Sequence, residues 1–161
     1  MRDWNVVGGL IESDACLLLV GNRRNTGELE WTPPGGVVDL GESSLVALTR
    51  EVEEETSLEV REWSSCVYKV FVDFPEREMR LFVEVFRAVS WDGELSFVDP
   101  DRIVESGRFV DSETAMKLLS KSPQWVSEPL LDWLAGNYRV DATYAYLVDG
   151  ETPKTFRVKR L

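Results

Sequence analysis

The sequence predicts an α+β fold, a mixed β-sheet with helices packed on it. Three observations carry that reading. Runs of apolar, β-branched and aromatic residues bounded by turn residues recur along the chain. Between them lie segments whose apolar residues fall three and four apart, the helical period. Neither an internal repeat nor a low-complexity segment divides the chain, so its 161 residues read as a single domain, 1–161.

"WNVVGGLIE" and "ACLLLVGNRR" read as two strands joined by a turn at Ser13-Asp14. "EWTPPGG" follows, too rich in Pro and Gly for regular structure. Residues 43–56 predict a helix, with Leu45, Leu48, Val52 and Thr56 on one face. "LEVREWSSCVYKVFVDF" reads as a long strand, bent or bulged. "PERE" turns it, and "MRLFVEVFRAVSW" returns as its antiparallel partner. "DGEL" makes the next turn. "RIVESGRFV" is a short strand leading into a helix at 112–120, capped by Asp111 or Ser112. "QWVSEPLLDWLAG" is a further helix closed by Gly136. "ATYAYLVDG" and "KTFRVKRL" form a final hairpin, so a C-terminal extension of helix and hairpin begins near residue 121.

The balance of 43% apolar and 29% charged residues is that of a folded globular chain. No run approaches the length of a membrane-spanning helix. "MRDWNVVGG" lacks the apolar stretch of a signal peptide, so the expected location is cytoplasmic. The net charge is −11. Such a surface repels polynucleotide phosphate and argues against a DNA- or RNA-binding module. A small anionic substrate remains compatible where a bound cation receives it. The basic tail "PKTFRVKRL" reads as protection for an edge strand. The helix and hairpin of the C-terminal extension could cover the sheet or form a homodimer, and the sequence leaves both open.

The chain contains no histidine. That removes Ser-His-Asp and Cys-His catalysis and every imidazole metal ligand. Cys16 and Cys66 form no CxxC pair and lie in apolar runs, as buried thiols do. Chemistry here falls to carboxylates, Lys, Tyr, Ser or metal ions.

"REVEEETSL", residues 50–58, concentrates acid. At 100° per residue Glu51, Glu54 and Glu55 share one helical face. The core-facing stripe lies beside it, and Glu53 points away. A solvated acidic face and a site for hard divalent cations both fit that pattern. The preceding "PPGG" favours the second, because glycine lets backbone oxygens and amides approach a ligand closely.

Residues 36–58, "GVVDLGESSLVALTREVEEETSL", resemble the Nudix box. That signature is a Gly, five residues, a Glu, seven residues, then Arg-Glu-apolar-x-Glu-Glu-x-Gly-apolar. Gly36, Glu42, Arg50, Glu51, Val52, Glu54, Glu55 and Leu58 match it in spacing. The resemblance covers about residues 3–120. It implies a mixed sheet sandwiched between helices (α/β/α). It also implies hydrolysis of the diphosphate linkage in a nucleoside di- or triphosphate or nucleotide sugar, with Mg²⁺ or Mn²⁺. By the same resemblance Glu51, Glu54, Glu55 and the Gly36 carbonyl hold metal. Arg50 orients the carboxylates, and Glu42 braces the loop or joins the second metal shell and the substrate site.

Glu105 is the candidate for a further catalytic carboxylate, since the family often brings another Glu to the site from such a junction. The general base is then Glu105 or a box glutamate, Glu54 or Glu51. Arg23 and Arg24, at the end of the second strand, are candidates for holding substrate phosphates. Trp31, Tyr68, Phe82 and Phe109 include candidates for stacking on a base. Pro75 lies near the place where ADP-ribose-cleaving members carry a proline. Tyr68 falls too early for the tyrosine of dinucleoside-polyphosphate members, and neither clue decides the substrate. Ser57 stands where the box has glycine, at a position that needs positive φ. Serine costs on the order of 1 kcal/mol there. The alternative function is an inactive Nudix-fold module that senses a nucleotide without cleaving it.

Overall fold

The computed structural model describes residues 1–24, 27–97, 104–137, 139 and 142–161, without the side chains of residues 104 and 105. Strands β1 (Arg2–Leu10), β2 (Glu12–Ser13), β3 (Cys16–Arg23), β4 (Leu29–Thr32) and β5 (Gly35–Val37) precede helix α1 (Ser44–Thr56). Then come β6 (Glu59–Phe74), β7 (Met79–Asp92) and β8 (Val104–Val110), helices α2 (Ser112–Leu119) and α3 (Gln124–Leu134), and strands β9 (Ala142–Asp149) and β10 (Arg157–Arg160).

The strands divide between two sheets. One has six strands in the order β10-β9-β6-β7-β1-β5. It is mixed, since β1 runs parallel to β7 and β9 parallel to β6. In the other, β3 pairs with β2, β4 and β8. "EWTPPGG" is more regular than expected. It forms β4 and β5, with Pro33 and Pro34 between them, where missing amide donors break neither ladder. The turn after β2 centres on Asp14 and Ala15, both at positive φ, one residue later than expected. That geometry closes the tight β2–β3 pair, Ser13 against Cys16.

Strand β3 explains why its "CLLLV" run lacks alternation. Leu17 and Leu19 enter a core shared with Tyr68, Val70, Val85, Leu119 and Leu130. Leu18 enters a second core with Ile11, Leu48, Val52, Leu58 and Phe86. Both faces are buried, so both must be apolar. Each such leucine or valine contributes about 1.5–3 kcal/mol by leaving water. Helix α1 packs on the second core and α2 and α3 on the first, so the strands lie between helices.

The β6–β7 hairpin is as predicted, including its irregularity. Its register slips at four places between Val60 and Tyr68. A short 3-10 turn, Pro75–Arg77, joins the strands, and Glu78 closes it at positive φ. The C-terminal hairpin is part of the main sheet. Tyr68 to Asp73 of β6 pair with Ala142 to Leu147 of β9. The basic tail supplies β10, the outermost strand on that side, with Arg157, Lys159 and Arg160 along it.

Candidate functional site

Helix α1 begins where its sequence dictates. Ser43 is the N-cap, its hydroxyl accepting a hydrogen bond from the Val46 amide at 3.2 Å. Just before it, the Asp39 amide donates to Glu42 Oε1 at 3.1 Å, and the Glu42 amide donates to the Asp39 carbonyl at 3.0 Å. This closed turn fixes the Glu42 carboxylate over the first half of the helix.

Arg50 reaches that carboxylate with two parallel bonds, Nε to Oε2 at 2.9 Å and Nη2 to Oε1 at 2.8 Å. Its Nη1 donates to Glu51 Oε1 at 3.0 Å and to Glu54 Oε2 at 3.3 Å. Asp39 adds a fourth acid at 3.4 Å from Nη2. One guanidinium thus organises three carboxylates of the motif, a task suited to arginine's planar fork of donors. The bond to Arg50 holds Glu42 below the ordinary glutamate range. Burial pushes Glu51 above that range, against the pull of Arg50. Bonding to Glu42 raises Arg50 further, so it stays charged at any pH the fold survives.

The helical face differs in one respect from expectation. Leu45 is 38% exposed, and Ala47 is buried in its place beside Leu48 and Val52. The buried arc therefore reaches round to the carboxylate side. Glu51 is only 19% exposed, whereas Glu54 is 55% exposed. What Glu51 and Glu55 meet there is β5. The Gly35 amide donates to Glu55 Oε2 at 3.4 Å. A Cβ on Gly36 would fall 2.5 Å from Glu51 Cδ, so glycine leaves the room that the carboxylate fills.

These residues fit a hard divalent cation. Their side-chain donors are all carboxylate oxygens. The backbone of Gly36, with a carbonyl of its own, lies directly against Glu51. Among the described residues no three acids or thiols already form a metal-binding cluster. The Arg50 Nη1 stands between Glu51 and Glu54 and holds them in an ion-paired arrangement.

Ser57 has φ 66° and ψ 9°, the left-handed conformation that its place at the helix end requires. The remaining candidates belong to other elements. Arg24 makes a bidentate ion pair with Glu30, at 2.9 and 2.6 Å. Arg23 donates to the Gly27 carbonyl. Arg23 is the last residue of β3, in the smaller sheet, and Arg24 follows it. The backbone of Glu105 lies in β8, and its side chain is outside the described residues. Tyr68 is buried in the core. Trp31 lies under Arg108, Phe82 packs edge-on against Phe71, and Phe109 stacks on Trp91. The sequence reading missed Asp39 and Glu84. Glu84 accepts from the Ser44 hydroxyl at 2.8 Å across the sheet–helix boundary. A contact forty residues apart leaves no local signal, but Asp39, three residues before Glu42, was within reach of a turn argument. A cavity of about 490 Å³ lies apart from α1, lined by Glu12, Ser64 to Val67, Arg87 and Trp133.

The NUDIX domain family model matches residues 2–134. No curated protein matches the chain. Among solved structures, the MutT NUDIX hydrolase from Burkholderia pseudomallei is similar at 26% identity and TM-score 0.62, covering 70% of this chain and 86% of that one. The E. coli ORF135 protein is similar at 21% identity and TM-score 0.68, covering 84% and 94%. An ADP-ribose pyrophosphatase from Streptococcus suis is similar at 20% identity and TM-score 0.54, covering 88% and 98%.

Proposed function

The chain belongs to the NUDIX domain family of hydrolases acting on diphosphate bonds, and from that premise we propose that it cleaves, with Mg²⁺ or Mn²⁺, a nucleoside di- or triphosphate or a nucleotide sugar. The products are a nucleoside monophosphate and the phosphorylated remainder. The observation that carries this reading is the spread of Arg50 across Glu42, Glu51 and Glu54 beside the Gly36 backbone. It keeps ionised carboxylates close together on a helix where they would otherwise repel.

In this proposal Glu51, Glu54, Glu55 and the Gly36 carbonyl hold the cation. When bound, it polarises the phosphoryl oxygens, offsets the charge of the leaving phosphate and lowers the pKa of water. Arg50 keeps Glu51 and Glu54 turned toward one another, and Glu42 anchors Arg50. Water oxygen bonds to one phosphorus as the bridging P–O bond breaks, and a carboxylate takes the proton. Glu105 is the first candidate for that base, with Glu54 and Glu51 next. Arg23 and Arg24 are proposed to meet substrate phosphate, which requires Arg24 to exchange its Glu30 partner for substrate. Cytoplasmic action is proposed from composition. Among the described residues no helix is long and apolar enough to cross a membrane.

The test is a screen of nucleotides and nucleotide sugars with Mg²⁺ and with Mn²⁺, with products identified. Release of a nucleoside monophosphate is the expected result. Nucleotide-dependent stabilisation with no turnover of any compound would contradict hydrolysis and favour a sensing module.

A further inference from the structure

The serine that replaces the box glycine does more than end a helix. At Ser57 the chain turns left-handed, and its amide donates to the Glu53 carbonyl at 2.9 Å. Glycine would make that turn with less strain. The serine hydroxyl, however, donates to the Ser96 carbonyl at 3.2 Å, thirty-nine residues away. The Ser96 amide in turn donates to the Thr56 carbonyl at 3.0 Å. The two bonds lash residue 96 to the last two residues of the α1 region. Thr56 is held for this role, since its hydroxyl donates to the Val52 carbonyl at 2.6 Å and accepts from the Leu58 amide at 3.2 Å.

Residues 93–97 form a strap between β7 and the connection to β8. On either side of Ser96 the strap faces different elements. Leu95 packs on the α1 core with Val52, Leu58 and Val60. Phe97 lies on Gly107 of β8, where an added Cβ would come within 2.8 Å of its ring. Gly107 pairs with Val20 of β3, so Phe97 rests on the middle of the smaller sheet. The strap therefore joins the end of the acidic helix to the strand whose backbone carries Glu105.

We propose that Ser57 is a positioning residue: its hydroxyl fixes the strap 93–97 and thereby sets where β8 presents its residues relative to α1. This rests on the hydrolase reading, in which Glu105 and the α1 carboxylates act on one substrate. A misplacement of about 1 Å far from the chemistry can cost about 10²-fold in rate. Loss of one of the four holds on the strap, two hydrogen bonds and two apolar packings, gives a smaller effect, a kcat lower by about tenfold.

Three variants separate tethering from helix termination. Ser57→Gly removes both the strain and the donor. Ser57→Ala keeps the strain and removes the donor. Ser57→Asn tolerates the left-handed conformation and offers an amide donor. If Ser57 tethers, kcat is near parental in Ser57→Asn and falls in Ser57→Gly and Ser57→Ala, with KM little changed. Melting temperature follows another order, Ser57→Gly at or above the parent and Ser57→Ala below. Amide exchange at residues 95–97 is faster in the Gly and Ala variants and restored in the Asn variant. A Ser57→Gly protein with parental or higher kcat overturns the proposal, as does unchanged exchange across the strap. A parent that hydrolyses nothing in the screen defeats the hydrolase reading instead, and the exchange comparison still decides the tether.

Discussion

Replacing Gly36 with alanine should move one carboxylate and little else. The new Cβ would lie 2.5 Å from Glu51 Cδ and 2.7 and 2.8 Å from its oxygens. Ordinary carbon contacts begin near about 3.5 Å, so the carboxylate must retreat by about 1 Å. The obstacle is the end of a flexible side chain, and the Gly36 backbone lies outside the positive-φ region. The fold should therefore survive, with a metal-free melting temperature within about 3 °C of the parent. Activity should not survive so well, because a reacting geometry displaced by 1 Å can lose about 10²-fold in rate. The Gly36 carbonyl remains in the variant, so the loss reports on Glu51. Gly35→Ala is the control for a backbone clash. Its Cβ would lie 1.9 Å from the Val7 carbonyl oxygen and disrupt the β1–β5 ladder. That variant should be poorly folded. The assay is kcat and KM with the best substrate of the screen at saturating Mg²⁺, beside thermal melting without metal. A Gly36→Ala enzyme with kcat within about threefold of the parent would refute the placement of Glu51 at the reacting centre.

Mg²⁺ at about one hundred times its Kd should raise the melting temperature by about 5–10 °C. Burial raises Glu51 above the ordinary glutamate value, so on acidification it takes up a proton earlier than a free glutamate does. Chelation needs it ionised, so on acidification the shift should fade earlier than an ordinary exposed glutamate would make it fade. In the metal-free protein the raised value has the opposite consequence. Its contribution to stability is present below the unfolded pKa and lost as pH rises through the folded one. Glu51→Gln with Glu55→Gln should thus abolish the Mg²⁺ shift at neutral pH without lowering the metal-free melting temperature; an undiminished shift would place the cation elsewhere. Glu105→Gln should lower kcat by about 10² to 10⁴ with little change in KM if Glu105 is the base, and a kcat within about threefold of the parent, measured into alkaline pH, would pass the role to Glu54 or Glu51.

Local chemistry was legible in the sequence, and distant pairing was not. The fixed spacing of Gly36, Glu42, Arg50, Glu51, Glu54 and Glu55 made the candidate site legible because a short strand, the turn after it and one helix carry all six residues. The β6–β7 hairpin was legible too, since Pro75 and the flanking apolar runs mark a turn between neighbours in sequence. The left-handed residue at Ser57 followed from the stereochemistry of a helix end. By contrast, β9 joins β6 in parallel across a long separation, and no local pattern encodes such a partner. Strands β4 and β5 are four and three residues long, too short to display a period of two beside two prolines. Helical angles placed Leu45 on the core stripe, but where the core ends along a helix depends on what covers its first turn. There Leu45 stays partly exposed, and Ala47 is buried in its place. Arg24 looked available for phosphate because its partner Glu30 lies on the next strand, a contact made by the fold.

The central claim is that the α1 carboxylates hold a cation for hydrolysis, and Glu54 tests it most directly. Glu54 is 55% exposed and bonds to Arg50 at 3.3 Å, so its replacement disturbs no core packing. Glu54→Gln keeps the shape of the side chain and removes one charge from the set. The decisive measurement is the kcat of this variant at saturating Mg²⁺, on protein whose metal-free melting temperature equals or exceeds that of the parent. The account predicts a loss of at least about a hundredfold, the scale of removing one preorganised electrostatic group. A kcat close to that of the parent would contradict it, and the acidic face of α1 would then be a solvated surface.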